Sequence, residues 1–186
     1  MGRTQYYVAS SLDGFIAGPD DGLDWLTKYE PAARFDGEPM TGSYDRFMEG
    51  VGALAMGSAT YEWLLAEIDE WPYPGTPTWV LTSRELPRRE GEDVDVRFAE
   101  AKVADVYDEM IAAADGRNLW VVGGGNVASQ FADAGLLDEL IVTVVPVVLG
   151  EGKPLFDRAV PGGPMKLTST RAFDTGMVEL HYELGR

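Results

Sequence analysis

The sequence predicts an α/β fold: a mixed, mostly parallel sheet with helices on its faces and antiparallel strands at its C-terminal edge. Three observations carry this. Over the first two thirds of the 186 residues, short strand-like apolar runs alternate with stretches of helical periodicity. Two of those runs, residues 53–56 and 119–122, end in glycine and lead at once into a helix. Residues 166–173 and 177–184 then flank Asp174-Thr175-Gly176 as the arms of a hairpin flank their turn.

Each element follows from its residues. Residues 5–9 (QYYVA) read as the first strand, dense in aromatic and β-branched side chains. Residues 10–24 carry glycines and a proline and read as a long, structured loop; residues 31–40 are a second irregular stretch. Tyr44, Phe47, Met48 and Val51 share one side of a short helix over 43–50. The run 53–56 (ALAM) is a strand, and Ser58, standing where an N-cap belongs, opens a helix to about residue 68. Three prolines in residues 71–77 end it. Residues 78–82 (TWVLT) are a buried-type strand and 95–98 a weaker one. Val103, Val106, Tyr107, Met110, Ile111 and Ala114 recur at helical spacing, and Gly116 closes that helix. Residues 119–122 (LWVV) are a strand, 126–134 a helix with Val127, Phe131 and Ala134 inward, and 139–148 a long strand whose Pro146 implies a bulge or an edge. Along 177–184, Glu179, His181 and Glu183 alternate with apolar residues, which gives His181 a surface or interface role on a polar face. The chain reads as one domain over residues 1–186.

Composition narrows the function. The absence of Cys excludes a disulfide scaffold and a thiolate nucleophile, and a single His excludes a multi-His metal centre, so no metal site is expected. A formal charge of −16 opposes binding to phosphate backbones, so no nucleic-acid partner is expected. No signal-peptide pattern opens the chain, and its longest apolar run, residues 140–149, is too short to span a bilayer. A soluble cytoplasmic protein with no membrane partner is the expectation.

The sharpest chemical signal is LWVVGGGNVA, residues 119–128. Glycines let the backbone approach a pyrophosphate closely, and free N–H groups at a helix start point at an anion. Met56-Gly57-Ser58-Ala59-Thr60 is a second junction of the same kind. In a parallel sheet both junctions lie at the carboxyl edge, where α/β ligands bind. Thr82-Ser83-Arg84 closes a third strand with hydroxyls and a guanidinium, which suit a 2′-phosphate. The plainer reading of each is a tight turn or a solvated charge without a ligand.

Five motifs in order carry a resemblance: Ser10-Ser11-Leu12-Asp13-Gly14-Phe15-Ile16-Ala17; Ala55-Met56-Gly57 with Thr60-Tyr61-Glu62; Val80-Leu81-Thr82-Ser83-Arg84; Val122-Gly123-Gly124-Gly125; and Pro146-Val147-Val148-Leu149-Gly150 with Pro154-Leu155-Phe156. Together, over about residues 3–184, they resemble the dihydrofolate-reductase-like superfamily, and within it the RibD C-terminal (riboflavin biosynthesis reductase) domain family. The resemblance implies a three-layer α/β/α fold and an NADPH-dependent reductase similar to 5-amino-6-(5-phosphoribosylamino)uracil reductase. It implies that Gly57, Ser58, Ala59 and Thr60 hold one set of phosphates, and that Gly123, Gly124, Gly125, Asn126 and Val127 hold the pyrophosphate. It places Thr82, Ser83 and Arg84 at the adenosine end, and Ala9, Ile16 and Ala17 beside the nicotinamide. Ser11, Trp25, Tyr44 and Phe47 would touch a small-molecule substrate, a pyrimidine or a pterin among the options. Ser58 stands where dihydrofolate reductases carry Arg, so the choice of NADPH rests on Arg84, and NADH stays an alternative. Phe15 stands where riboflavin-type reductases usually carry Lys or Arg.

Hydride transfer to a C=N or C=O carbon needs an oriented nicotinamide and one proton. The candidate acids are Asp13, Asp45 and Glu151, with water as a further source. Asp13 leads because it sits in the first motif, although an Asx-turn residue would occupy the same place. Two other functions stay open: a nucleotide-binding module without turnover, and an interaction protein on the same fold that binds no nucleotide. The alternating apolar face of the C-terminal strands and the Val-rich strand 139–148, read as an uncovered edge, predict a homodimer, as the resemblance to the riboflavin-type domain also implies.

Overall fold

The first strand divides the molecule into its two faces. Successive strand residues point to opposite sides of a sheet. Accordingly Tyr6 of β1 (Thr4–Ser11) is buried with Ala53, Leu119, Val121 and Phe131, while Tyr7 is buried with Leu54, Met56, Tyr61 and Trp120. The computed structural model describes residues 2–28, 33–35 and 37–185. After β1 come β2 (Phe15–Ala17), α1 (Asp24–Thr27), β3 (Arg34–Phe35), β4 (Glu38–Pro39), α2 (Met40–Glu49), β5 (Val51–Gly57), α3 (Ser58–Glu67), β6 (Thr78–Leu81) and β7 (Val96–Ala99). The second half adds α4 (Val103–Ala113), β8 (Asn118–Gly123), α5 (Gly125–Asp133), β9 (Glu139–Val145), β10 (Lys153–Pro154), β11 (Lys166–Ala172) and β12 (Val178–Glu183).

Eight strands form the main sheet in the order β11-β12-β9-β1-β8-β5-β6-β7. From β9 to β7 all neighbours run parallel. β12 is antiparallel to β9, and β11 to β12. Phe47 and Met48 of α2 and Tyr61 and Leu64 of α3 pack on the Tyr7 face, whereas Val103 and Met110 of α4 and Ala128 and Phe131 of α5 pack on the Tyr6 face. The expected three-layer α/β/α architecture, with its mixed sheet and antiparallel C-terminal strands, is the one observed.

The departures have local causes. α2 begins at Met40 rather than at residue 43, because the Met40 side chain is buried against Val145, Phe173 and Met177. Of the irregular stretch expected over 31–40, residues 31, 32 and 36 lie outside the described residues; Arg34–Phe35 and Glu38–Pro39 pair as β3 and β4. β2 pairs with β10, a short second sheet that the sequence does not announce. β9 ends at Val145, since Pro146 has no N–H to give, and Val147 N turns back onto the Val145 carbonyl at 2.8 Å. β9 is not an edge. β1 and β12 flank it, and its valines reflect burial on both faces. The edges of the sheet are instead the C-terminal strand β11, with six of seven residues exposed, and β7.

Candidate functional site

The carboxyl ends of the parallel strands bring the two glycine junctions into contact. β5 ends at Gly57 and α3 starts there; β8 ends at Gly123 and α5 starts past Gly124. A Cβ added to Gly57 would stand 3.2 Å from Val127 Cγ2, and one on Gly123 would stand 2.9 Å from Thr60 Oγ1. One on Gly124 would stand 3.8 Å from the Gly57 nitrogen. Gly124 also has φ +92°, a conformation side chains other than glycine's rarely adopt. A Cβ on Gly125 would run into the Pro154 carbonyl, because β10 lies across the start of α5. Neither α3 nor α5 carries a side-chain N-cap hydrogen bond. The first-turn N–H groups of both helices therefore have no capping side chain beside these glycines. Ser58, expected as the N-cap, is the first helical residue instead; Gly57 takes the cap position in an extended conformation. Ala59 is exposed on the first turn of α3. Asn126 Nδ2 donates to Asp157 Oδ2 at 2.6 Å and so ties α5 to the segment after β10.

Next along the sheet edge, Thr82 Oγ1 accepts from Arg84 N at 3.0 Å, and Ser83 between them is exposed. Both Nη groups of Arg84 reach Glu62 of α3, at 3.1 and 2.5 Å. A cavity of about 370 Å³ adjoins them, lined by Arg84, Leu86, Arg88 and Phe98, with the Arg88 guanidinium 5.3 Å from the Phe98 ring centre. The sequence did not disclose Glu62 as the partner of Arg84, nor this cavity.

At the other end of the edge, Ser11 Oγ donates to Asp13 Oδ1 at 2.6 Å. Leu149 N donates to the same oxygen at 3.1 Å, and Gly150 N to Oδ2 at 2.7 Å. The Ser11 hydroxyl above all, with those two N–H groups, brings the Asp13 carboxyl down to about 2. Ser11 Oγ also accepts from Phe15 N, at 3.0 Å, fixing the turn into β2, which carries Ile16 and Ala17. Ala9 and Trp25 pack with Met40, Val145 and Met177. Near them three buried polar atoms have no hydrogen-bond partner among the described residues: Trp25 Nε1, Thr143 Oγ1 opposite Ala9 in the sheet, and Thr175 Oγ1 in the β11–β12 turn.

The other expected residues are spread more widely. Tyr44 and Phe47 stand on α2 with their rings edge-on to Trp120, at 6.0 and 5.3 Å. Asp45 is exposed on α2, and Glu151 is exposed just past the loop that Asp13 holds. His181 departs from its expectation. The polar face of β12 is turned toward α2, and Glu179 is only 2% exposed. Glu179 accepts from Tyr7 Oη at 3.1 Å and meets His181 Nε2 at 2.9 Å and Arg171 Nη1 at 3.7 Å. Burial pushes its carboxyl up, but the His181, Tyr7 and Arg171 contacts outweigh burial and hold it below the usual range. Strand alternation separates the two faces of β12 but does not say which one a helix covers.

Comparison with known proteins agrees with this geometry. The chain is 33% identical over 180 residues to the Bacillus subtilis (strain 168) protein YwjB, covering 97% of each. It superposes at TM-score 0.81, with 26% identity and 99% of both chains covered, on a Shewanella sp. PV-4 protein provisionally assigned to riboflavin biosynthesis. It superposes at TM-score 0.62, with 20% identity, on dihydrofolate reductase from Enterococcus faecalis complexed with NADP(H), covering 99% of this chain and 97% of that one. The layers and the glycine corner thus define a dihydrofolate-reductase-like fold. Within that class the chain belongs to the RibD C-terminal domain family, which matches residues 73–179. Among the described residues no helix is long and apolar enough to cross a membrane.

Proposed function

We propose that the chain is a nicotinamide-nucleotide-dependent reductase that delivers hydride to a C=N or C=O carbon of a small substrate. In this it resembles 5-amino-6-(5-phosphoribosylamino)uracil reductase. One observation carries the reading: the two glycine junctions pack on each other, Gly123 against Thr60 and Gly57 against Val127, so two helix starts without a capping side chain lie side by side. A dinucleotide fits the residues present. Gly57–Thr60 and Gly123–Val127 hold phosphates through backbone N–H groups. Thr82, Ser83 and Arg84, with the Arg88–Phe98 cavity beside them, receive the adenosine end, and Ala9, Ile16 and Ala17 flank the nicotinamide. The bound nicotinamide supplies the hydride. The 2′-phosphate of NADPH would compete with Glu62 for Arg84, so the cofactor is NADPH or NADH according to which contact prevails.

Ser11 and Trp25 line the reacting end, where Trp25 Nε1 is buried with no hydrogen-bond partner among the described residues. Tyr44 and Phe47 form an aromatic wall on α2. Asp13 is ionised at neutral pH and clamps the loop through Leu149 and Gly150 to β1, so it positions rather than protonates. The proton then comes from solvent, with Asp45 and Glu151 as the exposed alternatives.

The test is turnover: oxidation of NADPH and of NADH by purified protein against aminopyrimidines, pterins and simple imines. Saturable cofactor consumption with one of these supports the reductase. Tight cofactor binding without turnover of any member of the panel favours a binding module instead.

A further inference from the structure

Glu179 is a buried charge to which the proposed chemistry gives no part. Among the described residues it is the one charged side chain that the interior buries. A buried ion pair is a poor source of net stability, because desolvation offsets the attraction. A buried charge whose oxygens are all partnered instead fixes the orientation of the groups around it. Both oxygens of Glu179 are met: Tyr7 Oη donates to Oε2 at 3.1 Å, while His181 Nε2 and Arg171 Nη1 stand 2.9 and 3.7 Å from Oε1. Arg171 lies directly opposite Glu179 in the β11–β12 pair.

Two of these partners reach on to α2. The Tyr7 ring meets the Phe47 ring edge to face, 4.6 Å between centres. Arg171 Nη1 donates to Ser43 Oγ at 3.2 Å. Ser43 and Phe47 are four residues apart and so share one face of the helix. That face is therefore held from two strands, β1 and β11, whose arms meet at one carboxylate. The helix needs such contacts. It has ten residues, Gly42 among them, and no side-chain bond at its N-cap, a length that is marginal without tertiary support. A cavity of about 460 Å³ lies between α2 and the face of β9, β12 and β11. Tyr7, Ser43, Phe47, Arg171 and Glu179 all line it, so the two arms run along a gap where packing is incomplete.

We propose that Glu179 is a positioning residue: by orienting Tyr7 and Arg171 it sets the seat of α2 on the sheet. Its consequence for catalysis rests on the reductase reading, in which α2 carries the aromatic wall of Tyr44 and Phe47. Glu179 then governs the binding of substrate and leaves the cofactor alone, since none of its three partners is among the residues placed against the nucleotide.

The test compares hydrogen exchange of the α2 amides with that of the α5 amides, which pack on the opposite face of the sheet, in the full chain. In Glu179→Leu, α2 should exchange at least about tenfold faster, with a smaller change in α5. Glu179→Gln keeps an acceptor for Tyr7 and should restore most of the protection. Ser43→Ala cuts the Arg171 arm without disturbing the buried carboxylate, so it decides the matter even where Glu179→Leu does not fold. It should also loosen α2, although alanine is the better helix former. With any aminopyrimidine, pterin or imine that wild type reduces, Glu179→Leu should raise KM by more than it lowers kcat, at unchanged NADPH affinity. Exchange that rises equally in α2 and α5 would mean a general loss of stability and would overturn the proposal. So would α2 exchange unaltered in Glu179→Leu and Ser43→Ala, or a loosened α2 with KM unchanged. Wild type that reduces no member of that panel contradicts the reductase reading instead, and the exchange result then decides the seat of α2 by itself.

Discussion

Asp13 and Glu179 are both held below the usual carboxylate range, by different surroundings and with different consequences. Asp13 is lowered from 3.8 to about 2 by hydrogen bonds that exist only in the folded chain. A depressed carboxyl contributes stability that is fully present above its unfolded value and is lost as pH falls through its folded one. Acid titration of the melting temperature should therefore show a loss between about pH 4 and pH 2 that is smaller in Asp13→Asn; identical profiles would show that the clamp carries no proton linkage. Glu179 is buried among Tyr7, His181 and Arg171. Glu179→Leu removes the buried carboxylate that Tyr7 Oη, His181 Nε2 and Arg171 Nη1 meet and should cost about 1–3 kcal/mol by urea unfolding. Glu179→Gln, which still accepts from Tyr7, should cost less. At the adenosine end, Glu62→Gln frees Arg84, so the ratio of NADPH to NADH affinity should rise in that variant. A ratio unchanged from wild type would remove Arg84 from cofactor choice. Gly57, Gly124 and Arg84 could be picked out from the sequence because each closes a strand of distinctive composition. Glu62 and Glu179 could not, because their meaning comes from partners 22 and 172 residues away in the chain.

At the scale of elements, the junction between β8 and α5 depends on α3. An added Cβ on Gly123 stands 2.9 Å from Thr60 Oγ1, so Gly123→Ala overpacks the contact and should cost about 1–3 kcal/mol. Thr60→Ala should recover most of that loss in the double variant, measured as a non-additive cycle in thermal or urea unfolding. Additive losses would mean that the two junctions do not press on each other. The helices and long strands were legible because their periodicity is strong: α4 spans Val103–Ala113 and holds five of the six periodic apolar residues, with the sixth, Ala114, at its C-cap. Short elements were not. β2 and β10 are two or three residues each and exist because the chain after β9 folds back over the first loop. The start of α2 moved to Met40 for a tertiary reason as well, since the partners of its side chain come from β9 and the β11–β12 turn.

For the whole molecule, the parallel run of six strands places the glycine junctions at its carboxyl edge, with Ile16 and Ala17 on the separate strand β2, and the two antiparallel strands close the other flank. Composition and alternation could foresee that architecture, but not the strand order. The order depends on β8 returning between β1 and β5, and on β12 covering β9. A homodimer built by sheet extension would have to pair through β11 or β7; light scattering on the eluted protein decides whether a dimer forms at all. The central claim concerns the two glycine junctions at Gly57 and Gly124, and one measurement tests it most directly. NADPH and NADH are titrated separately into wild type and Gly124→Asp, following tryptophan fluorescence. Saturable quenching by at least one nucleotide, abolished in a variant that still melts cooperatively, is the predicted result. Wild-type protein that binds neither nucleotide would contradict the account and leave the glycine corner as architecture alone.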